Sequence, residues 1–208
     1  MNISEVFFSL QGEGIDSGLP TAFVRAAGCN LRCRWCDTRY ASRGRRMTVD
    51  EILDAIAKFP TRRVCLTGGE PLHQKETLPL LRALRRKRYS VSIETNGSYD
   101  ISRFQKLATI SLDIKCPSSG MADQMHLSNL ALLRTTDQAK FVIANRGDYA
   151  FAREIVEEEN LTRRTNVIFS PVGGRGGQNL ARWILRDGLD VRLGLQLHKI
   201  LWRGERGR

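Results

Sequence analysis

Aromatic residues are scarce in this chain: Phe, Trp and Tyr make up 7% of its 208 residues. Single-stranded nucleic acid is usually held on aromatic stacking platforms with basic flanks, and no such platform is visible. Long apolar runs are missing too, none reaching the ~18 residues of a membrane span. The start, Met1-Asn2-Ile3-Ser4-Glu5, lacks the basic and apolar regions of an export signal. Five cysteines, an odd number with three crowded together, argue against a disulfide framework and for a reducing cytoplasm. Neither an internal repeat nor a linker interrupts the sequence. With 41% hydrophobic and 26% charged residues, residues 1–208 read as one globular domain long enough for a proper core. It ends in a charged tail, 203–208, expected to be mobile.

Positive charge is in excess. Thirty-three Lys and Arg against 22 Asp and Glu leave +11 at pH 7, a balance that attracts nucleic acid or anionic small molecules. The basic side chains are spread out, with their densest runs at 43–46, 82–88 and 203–208. That reads as a solvated surface, and direct nucleic-acid binding is not expected. The alternative is a basic RNA-binding module, which would bind RNA salt-dependently without turnover.

The densest chemistry lies in eight residues, Cys29-Asn30-Leu31-Arg32-Cys33-Arg34-Trp35-Cys36. Thiols at C-x₃-C-x₂-C spacing can hold three corners of an iron–sulfur cluster, whose usual protein ligand is thiolate. A fourth iron would then lack a protein ligand and stay open to a small molecule, as open metal positions do in catalytic sites. A structural zinc site would want a fourth ligand, and Cys65 and Cys116 stand far off and unpaired. The spacing, with Trp35 just before the third cysteine, resembles the radical S-adenosylmethionine (SAM) superfamily, in which the open iron chelates SAM.

Around this loop, strand-like and helical patterns alternate. Residues 3–14 are extended and end in two glycines around Glu13. Thr21–Gly28 is the first core strand and leads straight to Cys29. Residues 39–47 form a basic loop, and Thr48-Val-Asp-Glu51 is a capping box opening a helix with Ile52, Leu53, Ile56 and Phe59 on one face. Strands follow over Val64–Gly69, Val91–Glu94, Ile110–Ile114, Lys140–Ala144 and Val167–Ser170. Helices are expected over Leu78–Arg88, Asp100–Leu107, 123–134, Asp148–Glu159 and Asn179–Arg186, and Leu193–Ile200 closes the chain. Such alternation predicts a parallel sheet with crossover helices. Six core strands are too few for a full eight-stranded barrel. The expected fold is α/β, a partial, open (β/α)6-type barrel with a short N-terminal extension and its site at the carboxyl ends of the strands.

The polar motifs do fall at strand ends. Gly68-Gly69-Glu70-Pro71 offers unobstructed backbone and one carboxylate, suited to an ammonium-bearing ligand. Glu94-Thr95-Asn96-Gly97 and Asp113-Ile114-Lys115 bring groups able to meet ribose hydroxyls or a carboxylate, or serve as ordinary turns. Arg25 is a charge in an apolar strand; it must find a partner or an anion, or else face solvent. Cys116, before Pro117, is a buried structural thiol or a fourth thiolate, the former preferred.

Taken together, Ser9-Leu-Gln-Gly-Glu-Gly14, the cysteine loop with Asp37-Thr38, Thr67-Gly-Gly-Glu-Pro71, Glu94-Thr-Asn-Gly97, Asp113-Ile-Lys-Cys-Pro117 and Gln196-Leu-His-Lys199 resemble the 7-carboxy-7-deazaguanine synthase family, from residue 3 to about residue 202. The first and last pieces are the most specific to that family. The resemblance implies conversion of 6-carboxy-5,6,7,8-tetrahydropterin to 7-carboxy-7-deazaguanine with loss of ammonia, on the way to queuosine or archaeosine. It implies a [4Fe–4S] cluster on Cys29, Cys33 and Cys36, SAM, Mg²⁺ at Thr38, an electron donor such as flavodoxin or ferredoxin, and a homodimer. By position, Leu10, Gln11, Gly12, Arg25 and Thr67 would bind the pterin. Trp35, Cys36, Asp37, Gly69, Glu70, Glu94, the Asp113–Lys115 stretch including Ile114, and Ser170 would contact SAM. No protein acid or base is assigned, because the cofactor carries the hard chemistry. His198 and Lys199 are ligands or packing residues. The competing enzyme reading is a glycyl-radical-enzyme activase, which shares the cysteine loop but needs no small-ligand pieces at 9–14.

Overall fold

A computed structural model describes residues 1–174, 177–203, 205 and 207. The expected tail, Arg208 included, thus lies partly outside the described residues. The strands are β1 (Asn2–Leu10), β2 (Pro20–Ala26), β3 (Arg45–Arg46), β4 (Arg63–Gly68), β5 (Ser90–Thr95), β6 (Thr109–Ile114), β7 (Gln138–Ile143), β8 (Asn166–Pro171) and β9 (Arg192–Leu193). They form one sheet in the order β3-β1-β2-β4-β5-β6-β7-β8-β9. From β2 to β9 neighbouring strands are parallel. β1 returns antiparallel against β2, and β3 against β1. The edges β3 and β9 stay apart, so the barrel is open, with the six expected core strands at its centre.

Strand alternation separates two environments. On one face Ala22, Val24, Val64, Leu66, Val91, Ile93, Ile110, Leu112, Ala139 and Phe141 enter the hydrophobic core. The helices α1 (Val49–Ala57), α2 (Thr77–Arg86), α3 (Arg146–Glu158) and α4 (Gly177–Asp187) pack against this sheet. Each presents an apolar stripe, such as Leu80, Leu81 and Leu84 on α2. The expected capping box opens α1, with Glu51 N–H donating to Thr48 Oγ1 at 3.2 Å and Thr48 N–H to Glu51 Oε2 at 2.6 Å. The alternate residues, Arg25, Thr67, Glu94, Ser111, Asp113 and Lys140, face the lumen.

Two expected crossover helices are absent. Residues 102–107 are turns, and 123–134 hold only the short 3-10 pieces Ala122–Gln124 and Leu127–Leu132. An eight-residue segment is too short to be stable as a helix on its own, and side chains satisfy the backbone here instead. Buried Asn129 accepts from Ile101 N–H at 3.1 Å and donates to Tyr99 O at 2.8 Å. Fully buried Asp137 accepts from Ile110 N–H (2.8 Å), Arg134 N–H (2.9 Å) and the Arg134 guanidinium (2.8 Å). The basic loop 39–47 also departs from a plain loop: it makes a 3-10 turn, Arg39–Ser42, and then β3. The chain closes with α5 (Leu197–Leu201).

Asp137 carries so many bonds that Asp137→Asn removes the charge and aims an amide at a donor. Loss of about 3 kcal/mol is expected, or about 6–12 °C in melting temperature for a chain this long. A melting curve within two degrees of the parent protein would show that the bracket is dispensable.

Candidate active site

The carboxyl ends of the parallel strands enclose a cavity of about 490 Å³, within the range of small-molecule sites. β2 ends at Ala26, and Gly28, at φ +85°, turns the chain into the cysteine loop. Cys29 and Cys36 are exposed, Cys33 is half-buried, none is disulfide-bonded, and all three line the cavity. Burial raises the Cys33 thiol above its ordinary value; only the thiolate binds iron, so metal loading must expel that proton.

The loop is anchored from the next strand. Gly69 N–H donates to Ala26 O at 2.9 Å and Glu70 N–H to Gly28 O at 2.8 Å. A Cβ on Gly69 would lie 1.9 Å from Gly28 O, so this approach requires glycine. Behind it Glu70 is fully buried. It accepts from Leu72 N–H (2.9 Å), Thr95 Oγ1 (2.8 Å) and Asn96 N–H (2.6 Å). Burial pushes its carboxyl up to about 7 against these three hydrogen bonds. Asn96 then reaches the loop itself, donating through Nδ2 to Asn30 Oδ1 at 3.0 Å and towards Cys29 Sγ at 3.5 Å.

One wall carries alternating charges. Asp113 pairs with Lys115 at 2.8 Å and with Lys140 at 3.6 Å, and Lys140 pairs with Glu13 at 2.9 Å. Burial opposes the charge on Lys140, but Glu13 and Asp113 outweigh it and hold its pKa well above the ordinary lysine value. Burial likewise opposes ionisation of Asp113, and Lys115 and Lys140 reverse that, leaving its carboxyl below the usual range. Across the mouth, Gln196 donates to Glu13 Oε1 (2.7 Å) and Asp37 Oδ2 (3.3 Å), and Lys199 pairs with Asp37 at 2.8 Å. His198 packs over Gly12.

The opposite end is neutral to acidic. Glu94 accepts from Gln11 Nε2 at 3.1 Å and from Thr67 Oγ1 at 2.7 Å. Arg25 lies between the Phe7 and Tyr40 rings, its guanidinium carbon 5.6 and 5.8 Å from their centroids. Its Nε–H is taken by Glu5 at 2.6 Å. The charge noticed in the strand therefore has a partner in the protein.

Leu10, Gln11, Gly12, Arg25, Trp35, Asp37, Thr38, Thr67, Gly69, Glu94, Asp113, Lys115 and Ser170 all line the one cavity. Two candidates for direct contact are corrected. Ile114 alternates onto the core face and is 1% exposed. Glu70 sits wholly behind the wall and braces it. Cys116, 1% exposed in the core, is a buried thiol whose pKa burial raises far above the ordinary range. Lys140 was not singled out in the sequence, though it gives the same signal as Arg25, a lone charge between Ala139 and Phe141; the amide of Asn96, expected within the Glu94–Gly97 motif to meet a ribose hydroxyl, reaches the cysteine loop.

Comparison with known proteins now bears on this geometry. The family model for the Radical SAM superfamily matches residues 23–125. A 7-carboxy-7-deazaguanine synthase of Koribacter versatilis is 42% identical over 99% of this chain and 98% of its own. One from Chlorobaculum tepidum is 41% identical over 97% and 94%. This chain belongs to the 7-carboxy-7-deazaguanine synthase family. Among solved structures, QueE from Escherichia coli superposes with a TM-score of 0.75 at 23% identity, covering 95% of this chain and 94% of that one, a likeness of fold.

The residues fit a family cofactor set of cluster and SAM. Among the described residues no three His, Cys, Asp or Glu side chains converge on a single metal ion; a cubane needs no such convergence, since each cysteine binds its own iron. Asp113 Oδ1 is buried and lacks a partner, a costly state that a ligand hydroxyl at the cavity would relieve. Gly69→Ala tests the anchor. Its Cβ would push directly on the backbone leading into Cys29. Stability should fall by about 1–3 kcal/mol and anaerobic reconstitution should give less than full iron. Full iron with unchanged melting would show that the two loops are separable.

Proposed function

We propose that this radical SAM enzyme converts 6-carboxy-5,6,7,8-tetrahydropterin to 7-carboxy-7-deazaguanine and ammonia. The observation that carries the reading is that the three cysteines, Gly69, Asp113 and Lys115, the residues expected for cluster and SAM, line one cavity with Gln11, Arg25 and Thr67, those expected for the pterin, in a chain 42% identical to a synthase of that name over nearly all its length. The pterin candidates also disfavour the activase reading, whose substrate is a protein. Mg²⁺ at the Thr38 hydroxyl, which lines the cavity beside Asp37, suits a hard ion that prefers oxygen and keeps waters. The homodimer rests on the family resemblance, and the cytoplasmic setting on the odd, clustered and unpaired cysteines.

The cluster, when bound, supplies one-electron reduction of SAM and so the means of abstracting a hydrogen atom. The chain supplies position. Glu94, expected from the resemblance to contact SAM, is held instead by the pterin candidates Gln11 and Thr67, and its carboxylate oxygens would accept from N–H groups of the pterin ring. Arg25 keeps its Nε edge on Glu5, and the terminal nitrogens of its planar fork take the substrate carboxylate. Lys115 meets the carboxylate of SAM, and Asp113 accepts from its ribose. The half-enclosed mouth, strapped by Gln196 and Lys199, limits water access.

Arg25→Lys is the informative substitution, because it leaves a cation beside Glu5 while removing the fork. It should lower kcat/KM for the pterin by about 30-fold or more, roughly 2 kcal/mol of lost substrate interaction, with SAM affinity unchanged. The assay is anaerobic turnover with SAM, Mg²⁺ and the carboxytetrahydropterin, followed by chromatography of the product. Near-normal kcat/KM would assign Arg25 to Glu5 alone, and a wild-type protein that forms no deazaguanine would overturn the function.

A further inference from the structure

The guanidinium of Arg25 is held more firmly than one ion pair requires. β1 and β2 pair with Glu5 opposite Arg25 and Phe7 opposite Phe23. Arg25 Nε–H donates to Glu5 Oε1 at 2.6 Å. The Phe7 ring is stacked on Phe23, with centroids 4.8 Å apart and planes 9° from parallel, and lies 5.6 Å from the guanidinium carbon. Tyr40 supplies a second ring at 5.8 Å, and its hydroxyl donates to the same Glu5 Oε1 at 3.2 Å. Phe7, Phe23, Arg25 and Tyr40 all line the cavity.

Tyr40 reaches this place from the cysteine loop. It follows Cys36 by four residues and sits in the 3-10 turn Arg39–Ser42. Ala41 fastens that turn. Its N–H donates to Thr38 O at 2.9 Å, its carbonyl accepts from Gly28 N–H at 2.8 Å, and its side chain is buried. The ring is therefore placed by the segment that also roots the thiols. Two rings against a guanidinium resist rotation of its plane, and Glu5 occupies one edge. The terminal nitrogens remain, fixed in one orientation. Glu5 also offsets the charge of Arg25, so net charge alone does not select an anion here. A carboxylate is favoured because it accepts from both terminal nitrogens at once. A carboxamide of the same shape offers one oxygen and turns an NH₂ group towards the cation.

Resting on the function proposed above, we infer that Tyr40 is a positioning residue that determines specificity: with Phe7 it clamps the Arg25 fork in the plane that recognises the substrate carboxylate, and so selects the 6-carboxylate over a neutral group of the same shape. Tyr40 acts through Arg25 and not on the reacting atoms. Without the clamp, Arg25 would still pair with Glu5, but its fork would be free to turn and would lose that freedom each time a carboxylate bound. The hydroxyl adds a smaller effect. It gives Glu5 Oε1 a second donor, and that oxygen then competes less for the terminal nitrogens.

The test measures Kd by anaerobic calorimetry on the cluster-loaded protein, with SAM bound and no reductant, so that nothing turns over. Two probes are compared, 6-carboxy-5,6,7,8-tetrahydropterin and its 6-carboxamide. Wild-type protein should prefer the carboxylate by about tenfold or more. Tyr40→Leu should weaken carboxylate binding by about fivefold to tenfold, with the Kd values for the carboxamide and for SAM unchanged. Tyr40→Phe keeps the ring and should stay within about threefold of wild type. Phe7→Leu removes the facing ring and should show the same selective loss as Tyr40→Leu. Because Phe7 belongs to β1 and Tyr40 to the turn, a folding failure in one variant leaves the other to decide. Unchanged carboxylate affinity in the folded leucine variants would overturn the clamp. So would equal weakening of both probes, which would make the two rings plain cavity wall. A wild-type protein that binds neither probe would overturn the proposed function and the inference with it. A selective wild type with an indifferent Tyr40→Leu would overturn the inference alone.

Discussion

The structure depends on a backbone clamp between two strand ends. Gly69 and Glu70, just past β4, bond to Ala26, the last residue of β2, and to Gly28 beyond it. The contact is so close that no side chain fits at Gly69. Each backbone bond contributes about 1 kcal/mol net, which is modest. Its importance is geometric, because Cys29 begins where the clamp ends. Buried Glu70 then ties the clamp to Thr95 and Asn96 at the end of β5, and Asn96 returns to Asn30. Three strand ends thereby fix one loop of thiols before any iron arrives, and a preorganised site loses less on binding.

The second constraint is the polar lumen. Each parallel strand sends one face to the helices and the other to the cavity, and the cavity face carries Asp113, Lys115, Lys140 and Glu13. Buried charges are costly unless paired and hydrogen-bonded, and here the acids and bases alternate so that each has an opposite neighbour. The same chain of contacts links the N-terminal turn at Glu13, the β6 end at Asp113 and the C-terminal strap at Gln196. Segments from both ends of the sequence are therefore held at one mouth, and a ligand there meets a fixed pattern of charge.

Much of this was legible in the sequence. The cysteine spacing, the Gly-Gly-Glu after a strand and the acidic strand ends led to one site, and the cavity contains nearly all of them. The capping box of α1 and the six core strands follow from local pattern. What was missed follows from tertiary bonding. The helices expected over 100–107 and 123–134 give way because Asn129 and Asp137 satisfy the backbone from a distance, which no local pattern reveals. Glu70 looked like a ligand because its motif borders one; only burial shows it to be a brace. Ile114 was drawn in with its neighbours, although strand alternation turns it to the core, and the alternation itself is visible in Ile110-Ser-Leu-Asp-Ile114. Lys140 was passed over although it breaks an apolar strand as Arg25 does.

The central claim is that the clamped thiols hold a cluster whose open iron faces SAM inside the cavity. Electron paramagnetic resonance of the reconstituted, reduced protein, recorded with and without SAM, addresses it most directly. The account predicts a [4Fe–4S]⁺ signal that changes shape when SAM is added, and its disappearance in Cys33→Ala. A protein that takes up only zinc, or a cluster signal indifferent to SAM, would contradict it.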